Sequence, residues 1–146
     1  MRKSNNSYEN DFYKWTQIQS SLLKKNEFSK LDLDHIIEEI ETLGRSERSS
    51  LKSQFVRLLQ HMLKYKYQIE KRTKSWAKTI ANSRLEIDEI VKENPSLKRE
   101  IPALINDAYL LARKKAHIET GIDIKKFPVE CPWSNKDILN CVLERM

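Results

Sequence analysis

The stretch LDLDHIIEEIETLGRSERSSLKSQFVRLLQHMLKYKYQI, residues 31–69, decides the fold. At about 100° per residue, Ile36, Ile40 and Leu43 lie close together, and Leu51, Phe55, Leu58, Met62 and Tyr65 follow on nearly the same side. An apolar side recurring at that period over many turns belongs to an amphipathic helix, not a strand. Asp32 or Asp34 can start it by accepting hydrogen bonds from the free amides of the next turn. Gly44 interrupts the run, and Ser46 could cap a new helix behind it. The apolar phase is kept across Gly44, so the reading is one long helix with a weak point there, a break being the alternative.

Working outward, Tyr8, Phe12, Trp15, Ile18, Leu22 and Leu23 recur at helical spacing, so a first helix begins near Ser7 or Asn10. Residues 1–7 are expected to be a disordered tail. A third helix covers Lys74 to Glu93, with Trp76, Ile80, Ile87, Ile90 and Val91 inward. It stops at NPSL, where Asn94 can cap a helix whose first residue is Pro95. Pro102 is expected to split the next segment, because its ring clashes with the preceding turn of a helix interior. A further helix runs from Ala103 to Glu119 and ends at Gly121. Pro128 and Pro132 hold their predecessors extended. Ser134 with Asp137 resembles a capping box, so a short helix closes the chain. The expected architecture is all-α: a single domain, 1–146, built as a bundle of four to five helices with one long central helix and a Pro-containing C-terminal segment.

Composition agrees. The 146 residues suffice for one sizeable core, and only two glycines and four prolines leave little for tight turns between strands. The first residues lack the apolar region of a secretory signal, and no apolar run approaches the roughly 20 residues of a membrane-spanning helix. A cytoplasmic protein with no membrane partner is expected, with Cys131 and Cys141 as free thiols.

Motifs that carry chemistry are scarce. Glycine-rich phosphate loops, dinucleotide fingerprints and nucleophile elbows are absent. Cys131 has no sequence-near histidine to activate it. No catalytic residue, cofactor or metal ligand is assigned. His35, Glu38 and Glu41 share a helix face, but bundles that bind paired metals repeat Glu-x-x-His on two helices, and no second copy occurs here. Acids near a helix start also suit its dipole. A metal-dependent enzyme is accordingly the third reading of function.

From Lys64 to Arg84 there are seven positive residues and one negative, on a chain of net charge +6. Such a cluster attracts phosphates, and interleaved aromatic faces can stack on bases. The candidate nucleic-acid surface is Lys64, Lys66, Lys71, Arg72, Lys74 and Lys78. Tyr65 and Trp76 fall on apolar phases and are expected in the core, with Tyr67 outward. The bland reading is a solvated basic face opposite the acidic stretch from Asp32 to Glu47. Glu47, Gln54, His61 and Gln68 are seven apart and border the apolar stripe, where polar groups often fix helix register.

The stretches YENDFYKW, EEIETLGRSER, LLQHMLKYKYQ, RTKSWAKTI, NPSL, ETGIDI and FPVECPW resemble, taken together, the bacterial domain-of-unknown-function 29 family. The resemblance runs from Tyr8 to Leu143 and implies an all-helical fold; it carries no biochemical activity with it. It marks Glu38, Glu39, Glu41, Gly44, Ser46, Glu47, His61, Tyr67, Gln68, Arg72, Ser75, Trp76, Pro128, Cys131, Pro132 and Trp133. Among these, Glu47, His61, Gln68 and Arg72 are expected to form a structural polar network, and Trp133 to anchor the FPVECPW segment. The function expected is a non-enzymatic interaction or structural module, with a protein partner or a homodimer. The alternative is a nucleic-acid-associated protein using the basic 64–84 region.

Overall fold

The computed structural model describes residues 7–146, and within them every regular element is helical. The expected tail lies outside the described residues except for Ser7, which opens α1 (Ser7–Asn10). Six α-helices follow in order: α1, α2 (Phe12–Lys24), α3 (Leu33–Tyr67), α4 (Lys74–Glu93), α5 (Ile101–Thr120) and α6 (Asn135–Asn140), with short 3₁₀ turns between several of them. Four of these are substantial, and α3, with 35 residues, is the long one and runs unbroken through Gly44.

Local chemistry accounts for most boundaries. Asp11 caps α2 by accepting from the Lys14 amide at 3.0 Å. Asn26, just past its end, takes the left-handed conformation that asparagine tolerates. Thr73 caps α4 through the Trp76 amide, and Ser134 caps α6 through the Asp137 amide. Gly121, at φ 73°, closes α5. Two expectations are corrected. Pro102 does not split a helix; it lies in the first turn of α5, where its missing amide has no helical partner to lose. Asn94 does occupy the N-cap position of a 3₁₀ turn that begins at Pro95, but its side chain makes no capping bond: its amide donates to the Ile90 carbonyl at 3.0 Å and to Glu47 at 3.2 Å.

The chain divides into two compact units, Met1–Arg45 and Ser46–Met146. In the second, Leu51, Phe55, Leu58, Leu59, Met62 and Leu63 of α3 pack with Ile80 and Ile87 of α4 and Leu104, Ile105, Ala108 and Ala112 of α5 in one dry cluster. The proline-bearing C-terminal segment cannot satisfy its own carbonyls in a helix, and arginines do so. Arg113 donates to the carbonyls of Ile124 and Phe127, and Arg84 to those of Ile138 and Cys141. Phe127 is the buried anchor there, while Trp133 is only partly covered. Tyr109 donates to the Pro128 carbonyl, and burial pushes its phenol up to about 12.

The first unit has far less apolar interior. Trp15 and Leu31 are its buried hydrophobic residues among those described, and polar groups do much of the joining. Asp32 accepts from the Trp15 indole at 3.0 Å and pairs with His35 Nδ1 at 2.7 Å, while its own amide donates to buried Gln19. The Tyr8 ring stacks on His35 at 3.8 Å, and its hydroxyl donates to Glu39.

Candidate docking face

Within the first unit, α1 and α2 meet the start of α3 through Asp32, His35 and Glu39, which fall on one side of the helix. The adjoining side carries Leu33, Ile37, Ile40 and Leu43 within about 120° of arc. Those side chains are 54, 51, 63 and 67% exposed. Gly44 lies in the same stripe, and a Cβ there would meet nothing within 4 Å. The stripe's far border is a row of carboxylates, Asp34, Glu38 and Glu41, spaced to share a face, with Arg45 paired back to Glu41 at 3.7 Å. The same periodicity continues along α3 at Leu51, Phe55, Leu58 and Met62, which are fully buried in the second unit. One helix therefore carries an apolar stripe that is core along its second half and bare along its first.

The sequence reading expected this stripe at Ile36, Ile40 and Leu43 but missed Leu33 and Ile37. The spacing of Leu33, Ile37 and Ile40 was a legible signal for them. Bareness itself has no sequence signature, because periodicity reports which residues share a face and not whether anything covers it.

The basic stretch divides in the structure. Lys64 is buried and donates to Glu119 at 2.6 Å, with its ammonium 4.5 Å from the Trp76 ring centre. Arg72 donates to the Tyr65 carbonyl at 2.6 Å and lies over the Tyr65 ring at 4.1 Å. Lys66 is partly buried beside Tyr67 and Trp133. Lys71, Lys74 and Lys78 are exposed. Tyr67 is turned inward rather than outward, edge-on to Phe127 at 5.4 Å, and burial raises its phenol above the usual value.

Glu47, His61 and Arg72 take separate partners, and no hydrogen bond joins any two of Glu47, His61, Gln68 and Arg72. Glu47 is exposed and accepts from Asn94. His61 Nδ1 meets the Arg57 carbonyl at 2.8 Å, and Gln68 is buried. Among the described residues no group of three or more His, Cys, Asp or Glu side chains is placed to hold a metal, and no helix is long and apolar enough to cross a membrane.

Two histidines diverge electrostatically. The hydrogen bond to Asp32 holds His35 above the ordinary histidine value, while burial pushes His61 below it. Burial works against ionised Asp32, but its bonds from His35 and Trp15 outweigh it and keep that carboxyl low. A raised His35 stabilises the first unit fully below the unfolded histidine pKa, and that contribution is lost as pH rises through the folded value. Asp32 contributes above its unfolded pKa and stops contributing as pH falls through its lowered one. Proton NMR titration of the imidazoles should place His35 above and His61 below the unperturbed midpoint. Asp32→Asn should return His35 to it, and an unmoved midpoint in that variant would refute the pairing.

The family model described as Domain of unknown function DUF29 matches residues 7–142. No curated protein and no solved structure matches the chain. The chain belongs to the DUF29 family.

Proposed function

We propose that this DUF29-family chain is a non-enzymatic interaction module that receives an amphipathic helix of a partner protein on the bare half of α3. The observation behind the reading is the exposure of Leu33, Ile37, Ile40 and Leu43 as one continuous stripe. Single exposed hydrophobic residues need no explanation, whereas a contiguous helical stripe is the geometry that helix-in-groove recognition uses. Gly44 adds to it. Glycine costs about 1 kcal/mol against alanine in a helix interior, and here it leaves room for a partner backbone to approach.

Charge selects the occupant. A helix laid on the stripe has Asp34, Glu38 and Glu41 along one edge, so lysines or arginines on that edge of the partner are favoured. A second copy packed antiparallel would set its own acidic row against this one, which like-charge repulsion opposes.

The test uses the full chain and a designed peptide with a leucine stripe and lysine edge, alongside a control with glutamate in place of lysine. The lysine peptide should bind, with affinity falling as salt rises, and the glutamate peptide should bind at least tenfold more weakly. Ile40→Asp should abolish binding without loss of helicity, since that side chain already faces solvent. Sedimentation showing a dimer broken by Ile40→Asp would replace the partner helix with a second copy. Tight DNA or RNA binding lost on changing Lys71, Lys74 and Lys78 to Gln, with no peptide binding, would overturn the reading in favour of a nucleic-acid surface.

A further inference from the structure

The side chains that hold α3 in place leave a gap in its middle. The last residue held in the first unit is Glu39, which accepts from the Tyr8 hydroxyl. Support resumes in the second unit at Glu47, which accepts from Asn94, and at Arg48, which donates to Glu100 at 3.1 Å. Residues 40–47 are all exposed. Eight consecutive helical residues go round the axis a little more than twice, so no face of this stretch is covered. Before Glu47 its side chains bond only locally among the described residues. Thr42 donates to the Glu38 carbonyl, and Arg45 donates to Thr42 and pairs with Glu41 at 3.7 Å. The division of the chain after Arg45 falls inside the same stretch.

Helices in proteins owe most of their stability to the packing of an apolar face, and a stretch without packing depends on intrinsic propensity. That propensity is low here. Thr42, Gly44, Ser46, Ser49 and Ser50 all fall within residues 42–50. Serine side chains compete with the helix for its own backbone groups, threonine loses rotamer freedom in it, and glycine has the most backbone freedom to lose. The exposed Arg45–Glu41 pair returns little of this. Gly121 has a positive φ that calls for glycine, whereas Gly44 is helical and a Cβ on it would meet nothing within 4 Å. Neither a turn nor crowding inside the chain requires glycine at position 44.

We infer that α3 is jointed at Gly44: the helix there opens and re-forms while the contacts inside each unit stay intact. The amides that open are those of residues 45–48, whose helical acceptors are the carbonyls of residues 41–44. Segments that move when a protein binds are drawn from this low-stability end of a fold. The inference needs only the missing support and does not depend on what docks along Leu33 to Leu43.

Native-state hydrogen exchange of the full chain, read amide by amide by NMR, tests it. Relative to their intrinsic rates, the amides of residues 45–48 should exchange at least tenfold faster than those of residues 36–40 on one side and 55–63 on the other. Gly44→Ala should slow them about fivefold, the factor by which alanine outranks glycine in a helix interior, and leave the flanking amides unchanged. Gly44→Pro removes one helical bond and clashes with the preceding turn, yet the amides of Leu58 and Leu59 should stay as protected as before. Protection at residues 45–48 equal to that of the flanks would overturn the joint and make α3 one stiff rod. Exchange at residues 36–40 as fast as at 45–48 would also overturn it, because the first unit would then open as a whole. An unchanged rate in Gly44→Ala, or lost protection at Leu58 and Leu59 in Gly44→Pro, would equally refute it: the first removes Gly44 as the cause, and the second shows that opening spreads into the packed cluster.

Discussion

Replacing Leu58 by alanine is expected to lower unfolding stability by about 2–5 kcal/mol, while Ile40→Ala, on the same helix stripe, leaves it within about 0.5 kcal/mol. Leu58 is fully enclosed among α3, α4 and α5, so truncation removes transfer energy and also opens a cavity that the close-packed cluster cannot fill. Ile40 is 63% exposed, has little contact to lose, and gains slightly from alanine's better helix propensity. Urea unfolding followed by circular dichroism would measure both. Equal losses would mean that Ile40 is covered in the folded chain, and the proposed docking face would then be ordinary core. A large loss at Leu58 alone would establish that one periodic pattern performs two different tasks along α3.

Removing the carboxylate of Glu119 is expected to destabilise the chain by about 2–3 kcal/mol, because it strands the Lys64 ammonium. Lys64 has a side chain only 4% exposed, and the carboxylate of Glu119 is its ionic partner at 2.6 Å. The cost falls below the 3–5 kcal/mol typical of fully enclosed pairs, since Glu119 is 47% exposed and solvent screens that end. Lys64→Met should behave differently: it removes the buried charge, keeps most of the side-chain volume, and rescues Glu119→Ala in the double variant. Should Glu119→Ala prove harmless, Lys64 must reach solvent by another route. The pair also shapes the acid limb. Burial alone would raise the Glu119 carboxyl, but the bonds from Lys64 and Gln60 hold it below the ordinary value. Its contribution is complete above the unfolded pKa of glutamate and is lost as pH falls through the lowered folded value, so Glu119→Ala should flatten the acid decline.

These two experiments probe features that stood differently in the amino-acid order. The Leu58 stripe was legible from it, as were the bounds of α4, the Ser134 cap and the left-handed Gly121, because each rests on residues within one or two turns of each other. Pro102 was misread for a related reason. A proline reads alike in the first turn of a helix and in its interior, and the start of α5 one residue earlier had no strong local signal of its own. Lys64 was read as surface because it belongs to a basic run, yet Glu119, 55 positions away, provides the charge that lets it be buried. Arg84 and Arg113 likewise serve distant carbonyls of the C-terminal segment.

For the candidate sites the division is sharper. Helical periodicity placed Ile40 and Leu43 on an apolar face and Gln54 on its border, since side-chain direction follows from the backbone repeat alone. Whether such a face is covered depends on which other segments fold against it. The chain brings α4 and α5 onto the second half of the stripe, and leaves Leu33 to Leu43 open along the first. The unpaired side-chain oxygens of Gln54 and Ser83 have the same origin. Gln54 and Ser83 are 29 positions apart, and their unpaired atoms are costly only because folding removes water from both. Local order thus specifies what each helix face offers, and the packing of distant segments settles which of those faces meets protein, which meets solvent, and which is left wanting a partner.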